Sequence, residues 1–231
     1  FNSIVSGDYI SISGNNSLNS ISAFSQLTTA NLIGINGNTN LNSINAFSLL
    51  STANAIGING NPMLSTIAPF VSLQTSTGFY FDGNNIFNLN TIYPNLSGVN
   101  SLSLSNLNNI ANAPFFASTS ITNLALNNIS DISNLNFINT NSSLSSLSLT
   151  NNPLLSVCNN DAVCNFIFTQ LPNSSAFNVN NNLSGCTTFN QVWSSCTPLP
   201  YCTTINYPKN QAVGVLPKIQ WNSSVFATGY K

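Results

Sequence analysis

The sequence repeats itself at an interval of 23 residues. The dipeptide Gly-Asn occurs four times at this interval, starting at Gly14, Gly37, Gly60 and Gly83. Each copy follows two apolar residues spaced by two, and such pairs continue along the chain after one contraction of a single residue and one widening to 30 residues. The pairs are Ile10/Ile12, Ile33/Ile35, Ile56/Ile58, Phe79/Phe81, Leu102/Leu104, Leu124/Leu126, Leu147/Leu149 and Phe177/Val179. Self-similarity at a fixed period of roughly 20 to 30 residues predicts a solenoid.

The second copy indicates what each position of the repeat does. Ile33 and Ile35 alternate with small or polar residues, which predicts a strand with one buried face. Gly37 permits a sharp turn out of the strand, and the Asn38 side chain can then bond the free backbone groups of that turn. Stacked copies would align these asparagines as a ladder made of Asn15, Asn38, Asn61, Asn84, Asn152 and Asn182. Leu107 and Ile129 interrupt the ladder, so we expect the middle turns to be satisfied differently.

Apolar residues at four further positions of the repeat form columns that we interpret as core. The columns are Leu18, Leu41, Leu64, Phe87, Ile110, Ile132 and Leu155; Ile21, Ile44 and Ile67; Phe24, Phe47, Phe70, Tyr93 and Phe116; and Leu27, Leu50, Leu73 and Leu96. One coil alone would expose these side chains, and only the coils above and below can bury them. The sequence therefore predicts a mainly β protein, a right-handed parallel β-solenoid of about eight coils of 22–23 residues.

Charged residues make up only 3% of the chain, whereas an average soluble protein has about 25%. His is absent, the net charge is −1, and 44 Asn and 35 Ser supply the polarity. The only basic residues, Lys209, Lys218 and Lys231, follow the last repeat, so the repeats cannot neutralise phosphates. We therefore exclude nucleic acid as a partner. No run of 18 apolar residues occurs, so we expect no membrane insertion.

The charged side chains of the repeats are four aspartates, Asp8, Asp82, Asp131 and Asp161. No two of them share a position in the repeat, whereas acid–base catalysis needs a positioned pair of titratable groups. A calcium site would need several clustered carboxylates. We therefore expect no enzymatic activity, no metal and no cofactor.

Outward positions of the strands define a face of small neutral groups. The central column reads Ser11, Gly34, Gly57, Tyr80, Ser103, Ala125, Ser148 and Asn178. The next column reads Ser13, Asn36, Asn59, Asp82, Ser105, Asn127, Thr150 and Asn180. An exposed ring beside amides suits sugar or peptide recognition, so Tyr80, Asp82, Asn36 and Asn59 are the candidate binding residues. The alternative is a solvated face on which Tyr80 fills a gap left by Gly57.

The frame Ile-x-Ile-x-Gly-Asn-x-x-Leu-x-x-Ile-x-x-Phe-x-x-Leu resembles the receptor L domain, a short-coil relative of the leucine-rich repeat. The likeness covers residues 4 to about 184. Such domains occur in growth-factor receptor ectodomains and in fungal and bacterial surface proteins. The resemblance implies a binding module at a cell surface.

Residues 153–196 resemble the C-terminal cap of exported Bacteroidetes repeat proteins, which commonly leave the cell by type IX secretion. The resemblance implies one unit over residues 1–196 in an oxidising, extracellular location. Nearest-neighbour pairing would join Cys158 to Cys164 and Cys186 to Cys196, although four cysteines allow three pairings.

Residues 197–201 are interpreted as a Pro-rich linker, and residues 202–231 resemble the start of a fibronectin type III-like module. A β-sandwich needs about 100 residues, so this module would be truncated and Cys202 would pair outside the fragment. The start at Phe1, without a signal-peptide pattern, is interpreted as that of a mature or excised fragment.

The leading functional hypothesis is an extracellular, non-catalytic binding or adhesion module that recognises protein or glycan through the solenoid surface. An alternative is a structural spacer or filament subunit that self-associates at the cell surface. A third is an ice-binding protein, since the predicted face is flat and nearly uncharged.

Overall fold

Each copy of the repeat contributes one strand to a continuous parallel sheet. The computed structural model describes residues 1–68, 70–85, 98–107, 110, 121–138, 144–170 and 176–196. In chain order the elements are β1 (Ser6–Ser13), β2 (Ser20–Ile21), β3 (Thr29–Asn36), β4 (Ser43–Ile44), β5 (Thr52–Asn59), β6 (Thr66–Ile67), β7 (Thr75–Asp82), β8 (Gly98–Ser105), β9 (Asn123–Asn127), β10 (Ser146–Thr150), α1 (Asp161–Gln170), β11 (Phe177–Asn180) and α2 (Phe189–Cys196). The predicted parallel β-solenoid is confirmed.

Two sheets run along the solenoid. The large one has eight strands in the order β1-β3-β5-β7-β8-β9-β10-β11, and the small one joins β2, β4 and β6. Neighbouring strands pair one repeat apart, so that Ile10 lies opposite Ile33, which in turn lies opposite Ile56 and then Phe79. Because the register equals the repeat, every inward apolar position meets its own copy.

The apolar columns form the interior. Leu27, Leu41, Leu50, Leu64 and Leu73 are completely buried. Burial of each such side chain contributes about 1.5 to 3 kcal/mol, so the stacked columns are the main source of stability. The column members Phe87, Tyr93, Leu96 and Phe116 lie outside the described residues.

A stack of phenylalanine rings runs through one corner of the core. Successive ring centroids of Phe1, Phe24, Phe47 and Phe70 lie 5.7, 5.5 and 5.7 Å apart. Phe24 and Phe47 have φ of 62° and 66°, in the left-handed region that costs a bulky residue roughly 1–2 kcal/mol. Burial and stacking of the rings offset this cost.

Asparagine side chains bind successive turns to one another. Oδ1 of Asn38 accepts hydrogen bonds from the backbone N (2.9 Å) and Nδ2 (3.2 Å) of Asn15. Asn61 accepts the same two bonds from Asn38, at 3.0 and 3.1 Å. Asn38 Nδ2 also donates to the carbonyl of Ile12 in the preceding coil, at 2.9 Å. Each amide therefore holds the coil before it and the coil after it, and the pattern continues to Asn84.

The ladder resumes in the C-terminal coils after the interruption. Asn182 accepts bonds from the backbone N and Nδ2 of Asn152, at 2.9 and 3.0 Å. Ile129 lacks a side-chain amide, yet its backbone N still donates to Oδ1 of Asn152, at 2.9 Å. The turn at Ile129 therefore retains the backbone half of the ladder, and the buried side chains of Leu107 and Ile129 replace the amides at these two positions.

The residue at the left-handed turn position changes from glycine to asparagine along the solenoid. Gly14, Gly37, Gly60 and Gly83 hold this position in the first coils. Later coils use asparagine, which tolerates positive φ better than other non-glycine residues. These are Asn106, Asn128, Asn151 and Asn181, with φ between 51° and 58°.

The two described disulfides differ from the nearest-neighbour prediction. Cys158 pairs with Cys186, and Cys164 pairs with Cys196, so both predicted pairings were wrong. Cys164 lies on α1 and Cys196 ends α2, which packs against α1. Cys158 precedes α1 and lies in the coil before that of Cys186. The Cα atoms of these two cysteines are 5.8 Å apart. Packing between layers, rather than distance along the chain, therefore decides the pairing.

An aromatic cluster covers the C-terminal end of the solenoid. Phe177 of β11 contacts Phe166 of α1 and Phe189 of α2, at centroid distances of 6.0 and 5.3 Å. Trp193 packs edge-on against Phe168, at 5.3 Å. The helices thus bury the apolar edge that the last coil would otherwise expose.

The N-terminal end differs, since β1 forms the edge of the large sheet. An apolar groove of about 560 Å³ opens there, lined by residues that include Phe1, Ile4, Ile10, Ile12 and Leu18.

Residues 1–196 form one compact unit. The linker 197–201, the module 202–231 and Cys202 lie outside the described residues and stay predictions. In the part of the chain that is described, no helix is long and apolar enough to cross a membrane.

Replacing Asn61 by Ala tests the ladder. The substitution leaves the buried backbone N–H of Asn38 without its partner, at a cost of roughly 1–3 kcal/mol, and it also removes the side-chain bond to the carbonyl of Ile35 and the volume of a buried amide. We expect the free energy of unfolding to fall by about 3 kcal/mol in urea titrations. Asn42→Ala is the matched control, because this asparagine is exposed and should change stability by less than about 0.5 kcal/mol. Equal effects of the two substitutions would contradict a structural role for the ladder.

Removing the disulfide between α1 and α2 tests the cap. Cys164→Ser with Cys196→Ser opens a loop of 32 residues, for which chain entropy predicts a loss of about 4 kcal/mol. The double variant should retain the disulfide between Cys158 and Cys186 in non-reducing peptide mapping. A free Cys158 or Cys186 in that variant would refute the pairing.

Candidate functional site

The outward face of the large sheet carries the candidate binding residues. Its strands alternate inward apolar residues with outward small or polar ones, and the parallel register aligns the outward residues in columns. The column of Ser11, Gly34, Gly57 and Tyr80 runs beside the column of Ser13, Asn36, Asn59 and Asp82. The four predicted binding residues therefore lie on three neighbouring strands.

Tyr80 lies on this face with 41% of its surface exposed, and its ring leans over Gly78 of the same strand. A Cβ atom at Gly78 would stand 2.7 to 2.9 Å from Cε2, Oη and Cζ of the ring. Around Gly57, the atom within 4 Å of a Cβ would be Nδ2 of Asn59. Tyr80 therefore does not fill a gap left by Gly57, and that part of the alternative is wrong, whereas the solvated face stays a prediction. Gly78 provides the space that the ring occupies.

A second tyrosine, Tyr9, stands on the same face and is missing from the sequence-based set. Its side chain is 62% exposed, and its Oη lies 3.9 Å from the position of a Cβ at Gly34. The strand alternation around Ile10 already indicates that Tyr9 points outward. Sequence reasoning missed it because Tyr9 precedes the column pair in which the candidates were sought.

An apolar floor separates the two tyrosines. It consists of Leu32 and Ala55, in the column of Tyr9 and Gly78, and of Gly34 and Gly57, in the column of Tyr80. The tyrosine-bearing strands β1 and β7 are three strand spacings apart, about 14 Å. Leu32, beside Tyr9, is the one large side chain of the floor, and its other three positions hold glycine or alanine.

A row of polar groups, Asn36, Asn59 and Asp82, borders the floor on one side. Nδ2 of Asn59 donates to Oδ1 of Asn36 at 3.0 Å, and Asp82 Oδ1 accepts from Nδ2 of Asn106 at 2.6 Å. Among the described residues, Nδ2 of Asn36 and Oδ1 of Asn59 have no protein partner. The row thus presents one amide donor, one amide acceptor and a carboxylate toward solvent.

Beyond Tyr80, a shallow groove of about 190 Å³ continues along the face. Its lining includes Ser101, Ser103, Asn123 and Ser148, together with Tyr80 as one wall. Hydroxyl and amide groups dominate the outward side chains there, and the lining holds no charged side chain. The groove therefore suits a neutral polar ligand that contacts an aromatic ring.

The four aspartates do not come together. Asp8 is on β1, Asp82 ends β7, and Asp161 starts α1, while Asp131 lies outside the named strands and helices. The described ranges contain no group of three or more His, Cys, Asp or Glu residues that could hold a metal ion. Among the described residues, the aspartates therefore do not form an assembled acid–base pair.

Gly78→Ala tests the position of the Tyr80 ring. The backbone at Gly78 is not left-handed, so alanine fits the backbone, but its methyl group would overlap the ring. We expect the ring to move aside, with a changed tyrosine signal in near-ultraviolet circular dichroism and a stability loss of less than about 1 kcal/mol, because the clashing atoms are the far end of an exposed side chain. In the control, Gly57→Ala, the methyl group meets Nδ2 of Asn59 at 3.3 Å, so the tyrosine signal should stay unchanged. An unchanged signal in Gly78→Ala would refute this ring position.

Comparison with protein-family models, curated proteins and solved structures finds no significant match. The structure by itself shows a parallel β-solenoid with two disulfides near its C-terminal end.

Proposed function

We propose that this chain is a non-catalytic binding and adhesion module of a secreted or cell-surface protein, and that it recognises a protein or glycan ligand through the outward face of its large sheet. The observation that carries the proposal is the exposed Tyr80, held over Gly78 between the apolar floor and the shallow groove. Exposed aromatic residues held on a rigid support are typical of recognition sites.

The scaffold supports this role. Solenoids present extended surfaces whose residues are fixed by the stacking of their coils. Two disulfides agree with an oxidising, extracellular location. The resemblance to receptor L domains and to type IX-secreted Bacteroidetes repeat proteins would place the module at a cell surface, followed by a fibronectin type III-like module over residues 202–231. The family, the secretion route and the module over residues 202–231 are parts of this proposal.

The alternatives have less support. A filament built by end-to-end stacking is disfavoured because α1, α2 and their aromatic residues cover the C-terminal edge. The N-terminal edge is open, so the N-terminal edges of two copies could meet. A spacer that self-associates in this way remains an alternative. Ice binding would require a regular array of like groups, whereas the column of Ser11, Gly34, Gly57 and Tyr80 is mixed.

Glycan and protein arrays incubated with the full chain test the proposal. We expect binding to at least one class, with roughly 10-fold weaker affinity for Tyr80→Ala, a change equivalent to about 1.4 kcal/mol. Met63→Ala is the matched control, because Met63 is an exposed apolar side chain on a turn outside the sheet face. Binding that is equally sensitive to both substitutions, or absent from all arrays, would reject the sheet face as the binding site.

A further inference from the structure

We infer that the outward face binds a neutral polysaccharide chain, which lies across four strands from Tyr9 to Tyr80. This inference rests on the proposed function and specifies its ligand class. We call the surface made by Tyr9, the apolar floor and Tyr80 the tyrosine track.

The shape of the tyrosine track fits a single extended chain. It is about 14 Å long between the tyrosine-bearing strands. It is two residue columns wide, about 7 Å, because outward neighbours on one strand are two residues apart. The groove beyond Tyr80, at about 190 Å³, is smaller than the roughly 300–1,000 Å³ of ordinary small-molecule pockets. Affinity must therefore come from several weak contacts along an elongated ligand.

The chemistry of the track matches a sugar chain. Sugar rings have apolar C–H faces and hydroxyl edges, and C–H faces pack on aromatic rings and small apolar residues. Leu32, Ala55 and Gly57 are partly exposed and give such a surface between the two rings, whereas Gly34 is buried. Along its border, Nδ2 of Asn36 and Oδ1 of Asn59 are unpaired among the described residues and can bond ligand hydroxyls.

Charge selects a neutral polymer. Asp82 lies in the outward column beside Tyr80, and the exposed Asp8 of β1 accepts a hydrogen bond from Nδ2 of Asn31 at 3.0 Å. The described residues contain no Lys or Arg, so no side-chain cation can pair with a uronate or sulfate group on this face. An anionic polysaccharide on this face would meet the carboxylate of Asp82 and no side-chain cation.

Gly78 acts as a positioning residue for the track. Its lack of a side chain lets the Tyr80 ring lie over the strand, since a Cβ would stand within 2.9 Å of three ring atoms. Displacing the ring without removing it should therefore weaken binding about as much as removing it. The effect of Gly78→Ala should vanish when Tyr80 is already alanine, because the two residues act as one unit.

Affinity electrophoresis of the full chain in gels containing soluble polysaccharides provides the first test. Galactomannan, xyloglucan and hydroxyethylcellulose are the neutral probes, and alginate and polygalacturonate are the anionic ones. We expect retardation by at least one neutral probe and by neither anionic probe. Retardation by the anionic probes alone, or by no probe, would overturn the inference.

Calorimetry with oligosaccharides of two to six sugars, cut from the retarding polymer, then tests the track. Tyr80→Ala and Gly78→Ala should each weaken binding of the longest oligosaccharide about 10-fold, and the double variant should be no weaker than Tyr80→Ala. Tyr9→Ala should weaken the longest oligosaccharide by a similar factor and leave the disaccharide nearly unchanged. Met63→Ala should bind normally, and thermal unfolding confirms that each variant is folded. Equal losses for short and long oligosaccharides in Tyr9→Ala would refute a ligand that spans the track.

The two proposals fail separately. Binding to a protein ligand that depends on Tyr80, with no retardation by neutral polymers, would overturn the polysaccharide inference and leave the binding module intact. Ligand binding that no substitution on the sheet face changes would overturn both.

Discussion

The rest of this molecule depends on one constraint, the stacking of each repeat position on the same position of the neighbouring coil. The coils pair in parallel with a register equal to the repeat, so each inward residue packs on its own copy one coil away. No coil buries its apolar side chains alone, and stability therefore grows with each neighbour that is added. The asparagine ladder follows the same geometry, since each buried amide bonds the equivalent amide of the next coil.

This geometry gives a physical reason for the near absence of charge. In-register stacking places equivalent residues about 4.8 Å apart, so a charged side chain at a repeated position would face copies of itself. An amide carries both a donor and an acceptor and can therefore pair with an identical group. On the surface, Asn54 donates to Asn31 in this way, and the same row continues with Asn31 donating to Asp8 and Thr77 donating to Asn54. Abundant Asn and a charged fraction of only 3% are thus consequences of the same fold.

The residues proposed for binding are those that break the repetition. Tyr80 and Asp82 stand in columns whose other members on the first three strands of the large sheet are small or amide side chains, and the column of Tyr9 continues with Leu32, Ala55 and Gly78. A repeated bulky residue would form a continuous stack, whereas two isolated tyrosines leave a flat floor between them. The rigid sheet holds both at a set spacing, so recognition costs little ordering of the binding surface.

The sequence by itself determined the strands, the inward columns, the ladder positions and the outward placement of Tyr80, because each depends on period and alternation within one repeat. It could not give the cysteine pairing, since that depends on how α1 packs against α2 and on which coil lies beside which. Nor could it place the Tyr80 ring over Gly78 rather than Gly57, because ring orientation depends on the free space around it. Likewise, only the tertiary structure places Tyr9 and Tyr80 on one surface. They are 71 positions apart in the sequence but only three strand spacings apart in the sheet.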